Sequence, residues 1–350
     1  MTNRISKLIH AYAQTVITGK SSEHPTQRSI QFIISWILKI GISGLALGYI
    51  FQKLQGETVI IESTLNVFFG LTNIQVMTYT FLAAFLIAAN WGLEMVKWNL
   101  LIAPNFDSRW TTAVKGVLSG ATFGIFTPNR IGEFVGRILA LNPKQRISGS
   151  VLSFVNGLSQ TLATLTFGVI GCLFLLESLA VESLGDLAVR LIQVTLIAFW
   201  VLCMILYLNL NFIGVLFERS SKLALFTKYL APVSSLSTGL LHKLFVLSII
   251  RFATFLGQYF LLFSLMLSEP DWIIIGGASM LSLFSSTVFS LVPVPDLILR
   301  EAIALSYFGL FEFDLGIVSS VVFAVWVLNI AIPALVGSIV LLSYRIFRPT

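Results

Sequence analysis

The sequence predicts an all-α polytopic membrane protein, with six full spans plus two re-entrant, proline-broken helical hairpins in an inverted repeat and both termini cytoplasmic. Three observations predict it. The 350 residues are 56% hydrophobic and only 11% charged, with a mean hydropathy of +0.91, whereas a soluble domain carries about 25% charged residues. Six apolar stretches reach the ~20 residues that a bilayer crossing needs. Two further apolar stretches are interrupted midway by proline and charge. So little charge leaves no means of clothing a water-facing surface, which excludes a soluble enzyme, a nucleic-acid binder and a disordered protein.

Taken in order, residues 1–29 are polar to amphipathic, with Arg4 and Lys7 ahead of any long apolar run. They lack the small-residue cleavage site of a secretory signal and read as a cytoplasmic amphipathic tail. Residues 30–350 read as one transmembrane domain. Its full spans are 30–54, 76–103, 147–176, 188–217, 244–268 and 315–344. Between the second and third spans, the apolar run 116–127 covers only 12 residues, roughly 18 Å of helix and too short to cross. Pro128-Asn129-Arg130 interrupts it, and a second short half follows over 131–141. Between the fifth and sixth spans, 273–292 is broken at Pro293-Val294-Pro295-Asp296 and resumes over 297–310. Broken backbone at membrane depth is tolerated where it is buried in protein or lines a watery cavity, so each stretch reads as a re-entrant hairpin.

Charge supports this topology. Cytoplasmic segments hold sixteen basic and four acidic residues, outer segments three and eleven, and the spans three and one. The net charges are +12 inside, −8 outside and +2 within the spans, a strong positive-inside bias. The pI of 9.4 therefore reflects topology, and no nucleic-acid partner is expected.

The order span, broken hairpin, span occurs twice, over 76–176 and 244–344. The first copy starts outside and the second inside, so the copies are inverted. Transporters often use inverted repeats with discontinuous helices, with the binding site near the midplane where the broken helices meet.

Ionisable residues at membrane depth are expensive and usually functional. Glu94 and Lys97, three apart in the second span, share a helix face and read either as an interfacial snorkelling pair or as part of a site. Arg130, Glu133 and Arg137 surround the first break, with Gly132 and Gly136 allowing another backbone close. They read as a site or as a topology-setting salt-bridge cluster. Arg251 in the fifth span either snorkels or meets a carboxylate such as Glu133. Asp296, Arg300 and Glu301 flank the second break, and Arg300, a base on the outer side, has the weakest topological reason to be there. Arginine forks suit phosphate, and half-helices starting after Pro128 and Pro295 add donor amides. A lipid phosphate headgroup fits this chemistry; a proton-coupled small-solute carrier uses the same parts.

Other chemistry finds no footing. Cys172 and Cys203 lie in apolar runs, and His10, His24 and His242 have no ligand spacing, so neither a metal nor a cofactor is expected. Hydrolytic, nucleotide and dinucleotide motifs are missing. A polyprenyl-phosphate transferase is disfavoured by the lack of a metal-spaced carboxylate pair.

The run 116–141, GVLSGATFGIFTPNRIGEFVGRILAL, resembles the characteristic segment of the lysylphosphatidylglycerol synthetase transmembrane, or flippase-like, family, with Pro128, Gly132, Glu133 and Arg137 at its Pro and G-E-x-x-R positions. The segment 292–305, VPVPDLILREAIAL, is similar to the family's second motif through Pro293, Pro295, Arg300, Glu301 and Ala302. Asp296-Leu297-Ile298 replace the usual glycines. Glu94, Lys97 and Trp98 resemble its second-span pattern. The resemblance runs from about residue 30 to 348. It implies a bundle that in two-domain relatives moves aminoacylated phospholipid between leaflets, beside a soluble domain that makes the lipid. The chain ends six residues after Tyr344, so the expectation is a module without that domain, and no enzyme.

The resulting expectation is a multi-pass protein of the bacterial inner membrane that translocates an anionic or aminoacylated phospholipid or a lipid-linked phosphate intermediate. Arg130, Arg137, Arg251 and Arg300 would bind phosphate, with Glu94, Glu133 and Glu301 pairing them and Lys97 beside Glu94. The partners would be membrane lipids, and an oligomer is compatible with this. The alternative is a non-catalytic scaffold for a separately encoded lipid-modifying or glycosyl transferase.

Overall fold

In a computed structural model the apolar stretches fold as helices, because a chain in lipid must satisfy its backbone polar groups internally. The structure describes residues 25–58, 60–62, 69–106, 108–125, 127, 130–212, 232–291 and 295–343, with the backbone alone over 25–33 and 176–184. The predicted tail up to residue 24, and the predicted breaks at Pro128 and Pro293, lie outside these residues.

Helix α1 spans Pro25–Gly56, α2 Asn73–Phe106, α3 Trp110–Gly124, α4 Gly132–Leu139, α5 Arg146–Leu184 and α6 Asp186–Leu208. After these come α7 Thr238–Met266, α8 Trp272–Val288, α9 Asp296–Gly309, and α10 Leu315–Trp326, which continues through a π turn, Val327–Ala331, into α11 Ile332–Ser343. No strand occurs among the described residues. Among the described residues, six helical segments are long and apolar enough to cross a membrane: Ile34–Gly56, Asn73–Phe106, Pro143–Leu175, Asp186–Leu208, Thr238–Met266 and Leu315–Ser343. They correspond one for one to the predicted spans, and the protein is an all-α polytopic membrane protein. Helix α6 shows why hydropathy reads so clearly: Leu187, Leu191, Val194 and Phe199 are exposed on it, and only Val189 and Tyr207 are buried. An apolar helix with so little buried surface belongs in lipid.

The two interrupted stretches fold as helical pairs. Helix α3 has 15 residues, about 22 Å and short of a ~30 Å hydrocarbon core. Helix α4 has 8 residues and folds back antiparallel on it, Gly116 lying against Arg137 and Gly124 against Glu133. Helix α8 likewise pairs with α9, tied by a 2.8 Å hydrogen bond between the Ser285 and Tyr307 hydroxyls.

The packing has a two-fold pattern. Helices α2 and α7, the first of each repeat, cross antiparallel: Tyr79 at the start of α2 donates to the Ser264 carbonyl near the end of α7, and Glu94 further along α2 meets Arg251 nearer the start of α7. Each hairpin's first arm packs on the last helix of the other repeat. The Thr122 hydroxyl on α3 donates to the Ala334 carbonyl on α11 at 3.0 Å, and α8 lies on α5, where a Cβ on Gly277 would meet Leu175. Antiparallel first helices and reciprocal arm exchange are the arrangement an inverted repeat produces. The first hairpin reaches the α2–α7 crossing, where the charged residues collect.

Candidate functional site

A ladder of small residues sets the first hairpin's geometry. Gly116, Gly120 and Gly124 stand every fourth residue on α3, and Gly132 and Gly136 do so on α4. A Cβ on Gly136 would overlap the Gly120 backbone, and one on Gly132 would overlap the Phe123 carbonyl. Glycine–glycine contact lets the two backbones touch, which carries the neighbouring Glu133 and Arg137 into the bundle. Thr127 fastens the turn: its hydroxyl donates to the Phe123 carbonyl at 3.0 Å and accepts from the Gly132 amide at 2.9 Å. Arg130, inside that turn, has φ +54°, a left-handed conformation costly for a residue with a side chain. This strained residue faces the site, pairing with Glu133 one turn on.

Glu94 on α2 is the hub. Its carboxylate accepts from Arg137 Nη2 at 2.6 Å and from Asn156 Nδ2 at 2.7 Å. Arg251 Nη1 lies 3.3 Å away and Lys97 Nζ 3.6 Å away. Arg137 also reaches Glu133 at 3.4 Å, and its guanidinium lies 5.9 Å from the centroid of the Trp98 ring. Gln160 Oε1 on α5 accepts from Arg251 Nη1 at 3.0 Å and Lys97 Nζ at 3.5 Å. Exposure rises along the cluster from the fully buried Lys97 to the Glu133 side chain at 22%. Lys97 is therefore the floor of the cluster, and Arg130 and Glu133 are its mouth.

Buried charge is tolerated when paired and hydrogen-bonded. Here Lys97, Arg130, Arg137 and Arg251 face two carboxylates, Glu94 and Glu133. The cluster therefore carries a surplus of two positive charges. The Nε atoms of Arg130, Arg137 and Arg251 are buried without a hydrogen-bond partner. Unspent buried donors around a positive surplus are what an anion with several oxygens satisfies.

The second break adds a separate pair. Arg300 Nε donates to Asp296 Oδ2 at 2.8 Å, with Asp296 in the first turn of α9 directly after Pro295, where the helix dipole favours a carboxylate. Glu301 turns elsewhere and accepts from the Ser319 hydroxyl on α10.

Six of the eight residues singled out from the sequence thus fall in one cluster, while Arg300 lies in the separate pair with Asp296 and Glu301 turns to Ser319. The snorkelling alternatives for Lys97 and Arg251 end here, since Lys97 is fully buried and Arg251 faces the bundle. Arg251 meets Glu94 rather than the anticipated Glu133. Arg300, given most weight in the sequence, is tied to its own helix, and the deepest convergence is on Glu94.

Sequence reasoning missed the amides. Asn156 and Gln160 lie one turn apart on α5 and complete the shell of Glu94, Lys97 and Arg251. A second amide group sits four residues from Glu94 along α2 and seven from Arg251 along α7, roughly 6 and 10 Å by helix rise. Asn329 in the π turn accepts from Asn90 at 2.7 Å and Gln258 at 3.3 Å, and all three are fully or almost fully buried. A scan for amides as well as charges inside the apolar spans finds all five.

Fold and site together define a polytopic helical membrane protein with a buried, net-positive cluster where the first hairpin meets α2, α5 and α7. The chain matches no protein-family model, no curated protein and no solved structure.

Proposed function

We propose that the protein is a translocase for a lipid whose headgroup carries phosphate: an anionic or aminoacylated phospholipid, or a lipid-linked phosphate intermediate. One observation carries the reading. Four cations and two carboxylates are gathered where the short first hairpin meets the membrane-spanning helices α2 and α7, leaving a surplus of two positive charges beside unspent guanidinium donors. Kinship with the flippase-like transmembrane family, placement in a bacterial inner membrane and re-entrance of the two hairpins belong to the same proposal. The headgroup enters past Arg130 and Glu133, exchanges carboxylate partners for phosphate on Arg137 and Arg251, and leaves when Glu94 and Glu133 recapture them. The swap keeps each arginine paired, so no bare charge is exposed to lipid.

The test is headgroup translocation in reconstituted vesicles by the intact protein and by Arg137→Gln and Arg251→Gln. Loss in both variants with retained folding is expected; undiminished translocation rejects the reading. A second reading is favoured by one observation. Each cation of the cluster has a carboxylate within 4 Å, as a purely structural network requires. On that reading the protein is a non-catalytic scaffold for a transferase, moves no lipid and co-purifies with its enzyme.

A further inference from the structure

Two buried cations from different repeats aim at one neutral oxygen. Lys97 Nζ on α2 and Arg251 Nη1 on α7 both donate to Gln160 Oε1 on α5. An amide oxygen carries only a partial charge, so it holds two cationic donors less strongly than an anionic oxygen with full charge does. Lys97 and Arg251 have one other partner between them in this direction, Glu94, already shared with Arg137 and Asn156. Gln160 is half-buried whereas Asn156, one turn before it, is buried, so Gln160 is the more accessible of the two amides. The two amides also do opposite work: Asn156 gives its amino group to the carboxylate, and Gln160 gives its oxygen to the cations.

We infer that the Gln160 carbonyl occupies the seat of an anionic oxygen, and that the phosphate oxygen of the ligand displaces it to lie between Lys97 and Arg251. Gln160 is then a specificity-determining placeholder: it satisfies two cations while the site is empty and sets the threshold a ligand must exceed. A phosphate oxygen with full charge exceeds it; a hydroxyl or carbonyl oxygen, equal in kind to the amide, does not. This inference rests on the anion-binding reading above. It names one seat within the cluster and leaves Arg130 and Arg137 to the remaining oxygens.

The experiment measures equilibrium binding to the full-length protein in neutral detergent, with short-chain phosphatidic acid and inorganic phosphate as probes, for the native chain, Gln160→Met, Gln160→Glu and Arg251→Gln. Removing the placeholder in Gln160→Met leaves binding at least as tight as native. Gln160→Glu fills the seat with a tethered anion and weakens binding at least about tenfold, as Arg251→Gln does by removing a charged donor. Binding of the lipid alone assigns the seat to a headgroup, and equal binding of both probes assigns it to free phosphate. If Gln160→Met, still unfolding at the native temperature, weakens binding as much as Arg251→Gln, Gln160 is a strut and the inference is overturned while anion binding stands. If the native protein binds neither probe, the anion-binding reading fails and the seat fails with it.

Discussion

Glu94 on α2 and Arg251 on α7 lie 3.3 Å apart, an ion pair across the antiparallel crossing of the first helices of the two repeats. It joins the repeats at the point that Arg137 of the first hairpin also reaches. Because Glu94 holds Arg137 and Lys97 too, one carboxylate sets the electrostatics of the region.

Replacing Glu94 by Gln keeps its shape and removes its charge. Lys97, Arg137 and Arg251 then confront one another with Glu133 the nearest carboxylate, and breaking a buried network this way costs about 3–5 kcal/mol. Thermal unfolding in detergent should fall markedly, and Glu94→Gln/Lys97→Met, which restores the original surplus, should recover much of the loss. No recovery in the double variant counts against the hub role.

Arg137 and Arg300 should behave differently although both are paired arginines. Arg137 bonds two carboxylates with its side chain 9% exposed, whereas Arg300 holds one, Asp296, at 24% exposure in an i, i+4 pair. Arg137→Gln is expected to lower stability by about 3 kcal/mol, and Arg300→Gln by under about 1 kcal/mol. Chemical denaturation of the two variants compares them directly; equal losses contradict the assigned depths.

The glycine ladder predicts a sharp contrast. A Cβ at Gly136 overlaps the Gly120 backbone, while one at Gly92 on α2 meets nothing within 4 Å. Gly136→Ala therefore separates α3 from α4 and costs about 1–3 kcal/mol, and Gly92→Ala is neutral or stabilising by about 0.5–1 kcal/mol. Crosslinking between cysteines placed on α3 and α4 should slow in Gly136→Ala alone.

The amide group predicts a measurable coupling. Asn90 donates to Asn329 at 2.7 Å in a fully buried setting. A double-mutant cycle with Asn90→Leu and Asn329→Leu should give a coupling of about 0.6–2 kcal/mol, the range for interhelical hydrogen bonds in membranes. Additive effects would mean that the π turn holds without this bond.

The sequence by itself determined the class, the spans and the two interrupted stretches. Length and hydropathy suffice for these, because lipid forces every crossing to be a long apolar helix, and the predicted 315–344 and the observed Leu315–Ser343 differ by one residue. Helix α9 starts at Asp296, directly after Pro295. Only the tertiary structure decided which charges meet. Glu94 finds Arg251 because α2 and α7 cross there, and Arg137 because α4 folds back on α3 toward that crossing, and no local periodicity encodes either meeting. The same holds for Glu301, one residue from Arg300 yet turned to Ser319, since successive residues on a helix point about 100° apart. The amides Asn156 and Gln160 gained their roles the same way: a neutral side chain acquires electrostatic importance only from the charges folding places beside it.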